Sequence, residues 1–187
     1  MKLRRLAATA TVALATTTSL AACGNAGVEP THAATEGVSV NTGELAYQVQ
    51  ISRQLNASDF EDRDYLTGLP SGAQLATGQE WFAVFIRVFN RTNAPHQSAS
   101  QFSIRDTTGK QYLPVALNTS INRTAYRAET VNGGEQAPVQ GSLARENLTQ
   151  GGLILFKVQN GSYANRPLEL YITPPGGGAP ATVDLDV

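Results

Sequence analysis

The run Trp81-Phe-Ala-Val-Phe-Ile-Arg-Val-Phe-Asn90 limits the fold more than any other stretch of the chain. Aromatic and β-branched residues dominate it, which suits a pleated strand. Side chains alternate between faces at period two. Phe82, Val84, Ile86 and Val88 therefore share one face, and Trp81, Ala83, Phe85 and Phe89 share the other, interrupted only by Arg87. A strand apolar on both faces must be covered on both. This predicts a central strand in a layered β domain, with Val84 and Ile86 in the main core and the opposite face under a loop or a partner.

Strand-period segments recur on either side of it. Leu45, Tyr47, Val49 and Ile51 alternate with Ala46, Gln48, Gln50 and Ser52, the pattern of a half-buried strand. Phe102 and Ile104 lead into the turn Asp106-Thr-Thr-Gly-Lys110 and out through Tyr112, Leu113 and Val115, a hairpin signal. Pro114 sets the second arm at an edge or ends it early. Asn132-Gly133-Gly134 reads as a turn and Ala137 to Leu143 as a short strand. Leu153 to Val158 is apolar on both faces apart from Lys157, Leu168, Leu170 and Ile172 follow Pro167, and Val183, Leu185 and Val187 alternate with Asp184 and Asp186. No convincing helical period is seen. Short strands separated by Gly, Pro and Asn turns make an all-β sandwich or barrel the economical fold. Leu55 to Gly78 breaks the pattern and is long for a loop in a compact domain, so it is expected to be functional or mobile.

The first residues belong to a leader. Lys2, Arg4 and Arg5 precede an Ala- and Thr-rich apolar run, Leu6 to Leu20, in the layout of a secretory signal. Such a run makes a poor membrane span, which needs roughly 20 predominantly apolar residues. Leu20-Ala21-Ala22-Cys23 follows at once and resembles the lipobox of bacterial lipoproteins. In that family the matching cysteine is lipidated on sulfur and becomes the mature N-terminus. The resemblance implies a signal peptide over 1–22 and a two-chain anchor at Cys23, enough for stable membrane attachment. The alternative is a secreted protein with one free thiol, since Cys23 is the only cysteine and makes no internal disulfide. Residues 23–37, rich in Ala, Thr, Gly and Glu without periodicity, read as a flexible tether, and 38–187 as the folded domain. Removing residues 1–22 takes three basic residues from 14 and no acidic residue from 15. The mature chain is then mildly acidic with only Lys110 and Lys157 as lysines, which argues against a nucleic-acid partner.

The order of segments carries a further resemblance. The strand ending at Asn90 is followed by Phe102-Ser-Ile104, then Asp106-Thr-Thr-Gly109-Lys110-Gln-Tyr112, then Gly152-Leu-Ile-Leu-Phe156-Lys-Val158. Over roughly Gly37 to Ile172 this resembles the telokin-like, immunoglobulin-fold extracellular domain of bacterial surface lipoproteins, a family catalogued as a domain of unknown function. It implies an immunoglobulin-like β-sandwich on the outer face of the cytoplasmic membrane, with no catalytic motif to carry over. The Leu55 to Gly78 insertion and the strand after the Gly- and Pro-rich stretch depart from the family's short form.

The densest polar cluster is Asp59, Glu61, Asp62 and Asp64, flanked by Arg53 and Arg63. A helix-loop-helix calcium site needs oxygen ligands at positions one, three and five and Gly at six. From Asp59 the fifth position is Arg63 and the sixth Asp64, so the register fails and the expected state is a solvated loop with internal Arg pairing. His32 and His96, the only histidines, are expected as exposed loop residues, too few for a zinc site or a nucleophile–base pair. No cofactor, metal or catalytic residue is assigned. The expected function is a non-enzymatic, membrane-anchored interaction module of the cell envelope with a protein partner; the alternative is a lipoprotein that hands a small molecule or metal to a membrane complex. The loop containing Asp59, Phe60, Glu61, Asp62, Asp64 and Tyr65 is the candidate partner surface. Alternatively, Phe60 and Tyr65 fold back over Trp81 and Phe85 as a structural lid.

Overall fold

The structure, a computed structural model, describes residues 30–187. Cys23 and the leader lie outside the described residues. In chain order the elements are β1 (His32–Ala33), β2 (Ser39–Thr42), β3 (Leu45–Leu55), α1 (Phe60–Tyr65), β4 (Gln79–Phe89), β5 (His96–Gln97) and β6 (Gln101–Arg105). There follow β7 (Gln111–Tyr112), β8 (Thr130–Val131), β9 (Gln136–Ala137), α2 (Leu143–Glu146), β10 (Gly152–Gln159), a 3-10 turn (Asn160–Ala164), β11 (Leu168–Thr173) and β12 (Ala181–Leu185).

One sheet runs β1-β12-β11-β6-β7 and the second β10-β4-β3-β2, with β9 also paired to β4 and β5 paired to β8. The main core lies between the sheets. Phe82, Val84, Ile86 and Val88 of β4 meet Ile104, Leu170, Ile172 and Val183 of the first sheet. Val84 and Ile86 are fully buried, each contributing about 1.5–3 kcal/mol by leaving water. The other face of β4 carries a second cluster of Trp81, Ala83 and Phe85 with Leu55, Tyr65, Leu153 and Leu155. Leu66, Leu69, Val115 and Leu117 close it from outside. Both faces of β4 are therefore covered by its own chain.

The hairpin forms as read, with Ile104 opposite Tyr112 and β7 at the sheet edge. Asp106 builds its turn: the carboxylate accepts from Thr108 Oγ1 and from the backbone N–H groups of Thr108 and Lys110.

Four expectations are corrected. Residues 30–37 do not act as tether: His32 and Ala33 pair in parallel with Thr182 and Val183, Ala33 fills the core, and Glu36 accepts from the Ser52 and Asp186 backbone N–H groups. An alanine-rich segment too polar to show periodicity is held by a sheet edge supplied from the far end of the chain. Second, the alternation in β3 changes phase. Val49 faces Ile86, but the next registered pair is Ile51 with Phe85, a bulge at Gln50. Ile51 is thereby turned to the outer face and 40% exposed, while Ser52 is buried. Third, Ala137 to Leu143 is not a strand; β9 ends at Ala137 and α2 begins at Leu143. Fourth, short helices do occur, α1 and α2, each below the length at which a periodic pattern is legible.

Candidate functional site

The loop from Leu55 to Gly78 is a lid over the second cluster, and it divides the residues assigned to it. Tyr65 is 5% exposed, stacks edge-on against Phe85 at 5.0 Å between ring centres, and its hydroxyl accepts from Asn147 Nδ2. Phe60 is 76% exposed, with Arg63 over its ring at 5.4 Å. Asp62 is buried, paired with Arg53 at 2.5 Å and accepting from the Asn56 backbone N–H at 2.7 Å. Asp59 caps α1 by accepting from the Glu61 backbone N–H, and Glu61 and Asp64 are exposed. The helix therefore points Phe60 and three carboxylates at solvent but commits Tyr65 and Asp62 to holding the lid shut. As a single partner surface the six residues are not brought together. His32 and His96 stand in β1 and β5, strands of different sheets, not in loops.

A more shaped surface lies beside β10, the outer strand of the second sheet. An unpaired strand edge invites further pairing, and here irregular segments cover it. The Val115 N–H donates to the Leu155 carbonyl, the Tyr126 N–H donates to Leu153, and the Leu153 N–H returns to Thr124. The chain between them leaves two adjoining clefts. One, of about 230 Å³, is walled by Ala125, Tyr126, Ala137, Pro138, Val139 and Leu143, with Arg123, Arg127 and Glu129 at its rim. The other, of about 220 Å³, lies between Phe102, Pro114, Val115, Leu117, Tyr126 and Leu155. Tyr126 separates them. Its ring packs edge-on against Phe102 at 5.1 Å, and its hydroxyl donates to the Ala99 carbonyl at 2.7 Å. Burial pushes that hydroxyl's pKa well above the ordinary tyrosine range, so it stays protonated and keeps the bond.

Val139 and Leu143 are 53% and 46% exposed at the mouth of the first cleft. Neither residue was singled out from sequence. The signal was faint: Val139 and Leu143 are isolated apolar positions in a polar stretch, and nothing local shows that Arg123 to Glu129 would lie opposite them.

A third hollow, of about 410 Å³, opens at the end of β4 between Leu55, Leu75, Trp81 and Glu80, with Gln54, Asn56, Gln79 and Asn160 around it. Glu80 is buried, and one carboxylate oxygen accepts from Gln54 Nε2. Burial and the neighbouring Glu80 carboxylate raise the Tyr163 pKa above its ordinary value.

No protein-family profile matches the chain, and no curated protein does. Among solved structures the chain is similar to the yjhA protein of Bacillus subtilis, at 12% identity and a TM-score of 0.56, over 82% of this chain and 99% of that one. The chain is a β-sandwich. The likeness spans nearly the whole of yjhA and so concerns the whole fold, not a shared motif. Lesser similarities are to the candidate lipoprotein ycdA of Bacillus subtilis (15% identity, TM-score 0.48, 79% of this chain and 37% of that one) and to the secreted protein MPT63 of Mycobacterium tuberculosis (15%, 0.48, 83% and 98%).

Proposed function

We propose that the chain is a non-enzymatic interaction module of the bacterial cell envelope, held at the outer face of the membrane through lipid on Cys23, and that it grips an extended segment of a protein partner in the groove beside β10. The carrying observation is the pair of apolar clefts on either side of Tyr126. Each is below the roughly 300 Å³ at which drug-sized ligand pockets begin, yet large enough for one or two side chains. Two such clefts in line suit successive anchors of an extended peptide. Arg123 and Arg127 outnumber Glu129 at the rim and favour a partner segment carrying carboxylates near its apolar anchors. The telokin-like kinship and the envelope location are parts of the same reading, supported by segment order and by the lipobox.

A small-molecule carrier is the second reading, favoured by the hollow at Trp81 and Glu80, whose 410 Å³ falls in the ligand range. Four of its nine lining residues are amides, one oxygen of its buried carboxylate already has Gln54 as a partner, and it is a single hollow without the paired apolar clefts of the groove, which leaves it the second candidate.

A photo-crosslinker at position 143, in the lipidated protein in native envelope, tests the groove. Discrete protein adducts are expected, and Val139→Asp should abolish them without lowering the melting temperature. Adducts of the same kind and yield from position 175, in the connection between β11 and β12 of the first sheet, or adducts indifferent to Val139→Asp, would overturn the reading.

A further inference from the structure

The outward face of the first sheet gathers three metal-ligating side chains from three adjacent strands. His32 of β1, Asp184 of β12 and Glu169 of β11 bring one ligand atom each to within 4.8 Å of the others. The register makes this placement a property of the sheet. His32 stands opposite Thr182 and Glu169 opposite Asp184. Thr182 and Asp184 are two residues apart, so they share a face. His32 Nδ1 lies 2.9 Å from Thr182 Oγ1 and 3.8 Å from Glu169 Oε1.

Two observations point beyond a chance surface cluster. Carboxylates directly opposite each other on neighbouring strands repel, and Glu169 and Asp184 hold that position with no Lys or Arg nitrogen in ion-pair range among the described residues. Arg105, opposite Glu169 on its other side, lies over the Tyr171 ring at 4.4 Å. Asp186 and Glu36 add negative charge to the same edge, tied to each other's backbone N–H groups. The site thus has two opposed carboxylates with an imidazole beside them, and Arg105, opposite Glu169 on β6, offsets only part of that negative charge.

We propose that His32, Glu169 and Asp184 bind a divalent transition cation of the zinc class, and that the ion clips β1 to the sheet. One imidazole with two carboxylates and no thiolate is a donor set of intermediate hardness, suited to zinc and its neighbours above calcium or magnesium. Three protein ligands with a water in the fourth place is a familiar zinc arrangement. Ligand atoms about 2.1 Å from a tetrahedral ion stand about 3.4 Å apart, so closure from 4.8 Å takes rotamer shifts of about an ångström in partly exposed side chains. β1 pairs with β12 over only two residues. A metal on this face would add a bond that the short strand lacks, where the chain enters the domain.

Titration calorimetry of the full chain with zinc chloride tests this, with calcium and magnesium as controls. Saturable zinc binding is expected, with Kd raised at least tenfold in each of Glu169→Gln, Asp184→Asn and His32→Ala and unchanged in His96→Ala. The Gln and Asn variants keep side-chain shape, and Glu169→Gln leaves β1 itself untouched, so loss of binding is separable from loss of fold. Zinc should also slow amide exchange at residues 32–34 in the parent but not in Glu169→Gln. Absence of saturable binding, a smaller rise in the three variants, binding equally strong for calcium, or no zinc-dependent protection of β1 would each overturn the proposal. Val139→Asp should leave zinc binding intact, so this result and the fate of the groove are read independently.

Discussion

Asn122 is buried, and its side-chain amide is used from both ends. Nδ2 donates to the Tyr65 and Thr67 carbonyls, while Oδ1 accepts from the Thr124 hydroxyl and the backbone N–H groups of Thr124 and Ala125. One residue thus ties the lid to the wall of the groove. Asn122→Ala strands several buried backbone groups, each costing about 1–3 kcal/mol; a destabilisation of at least about 2 kcal/mol in denaturant melts is expected. The two aromatic residues of the lid separate in the same measurement. Tyr65→Ser should cost about 3–5 kcal/mol, as for other buried aromatics truncated to a small residue, and Phe60→Ser less than about 0.5 kcal/mol. Equal costs would mean that the lid packs differently. Asp106 offers a pH test. The Thr108 hydroxyl, with the Lys110 and Thr108 backbone N–H groups, holds its pKa below the usual carboxylate value. A folded pKa below the unfolded one gives stability that is present above about pH 4 and lost as pH falls through the folded value. The stability gap between parent and Asp106→Asn should therefore be widest near neutrality and close as the pH drops below about 4.

At the scale of elements, the bulge in β3 decides which of its residues serve which core. Before Gln50 the odd positions Tyr47 and Val49 face the other sheet; after it the odd positions Ile51, Arg53 and Leu55 lie with Phe85, Ala83 and Trp81. One extra residue lets a single strand serve both clusters. Val49→Ala should cost about 1.5–3 kcal/mol and Ile51→Ala less than about 1 kcal/mol; a reversed order in urea melts would place Ile51 in the core and remove the bulge. The start of β10 depends on backbone contact. Gly151 has φ 121°, and a Cβ there would stand 2.8 Å from the Ile86 nitrogen and 3.0 Å from the Phe85 carbonyl carbon. Those atoms belong to the central strand and have no side-chain freedom with which to yield. Gly151→Ala should lower stability by about 2 kcal/mol or more through clash and strain together.

Across the whole molecule, the second sheet is covered on both faces, by the first sheet on one side and by the lid on the other. The lid thus covers apolar surface that would otherwise be open, which is why the proposed groove lies beside β10 and not over β4. The fold also draws the start of the described chain onto its last strand, so any anchor preceding residue 30 joins the domain at β1. Membrane fractionation of Cys23→Ser tests that anchor. Release of the variant into the soluble fraction is expected, and retention equal to the parent would remove the lipid from the account.

Local pattern was enough for the central strand, both of its buried faces, the hairpin around Asp106 and the all-β class, because period-two alternation and turn chemistry act over a few residues and are written there. That an Arg would pair within the acidic cluster was legible because the charges stand near one another in the chain, but which carboxylate it takes was not, and Asp62 is buried where a solvated loop was expected. What tertiary structure alone decided involves residues far apart in sequence. β1 is a strand because β12, some 150 residues later, offers it an edge. Tyr65 is lid and Phe60 is surface because a six-residue helix turns one inward and the other out. Ile51 left the core because a bulge, invisible to a periodicity count, moved it. The groove and the His32, Glu169 and Asp184 trio exist only where separate segments meet across a sheet, and no window of sequence contains them.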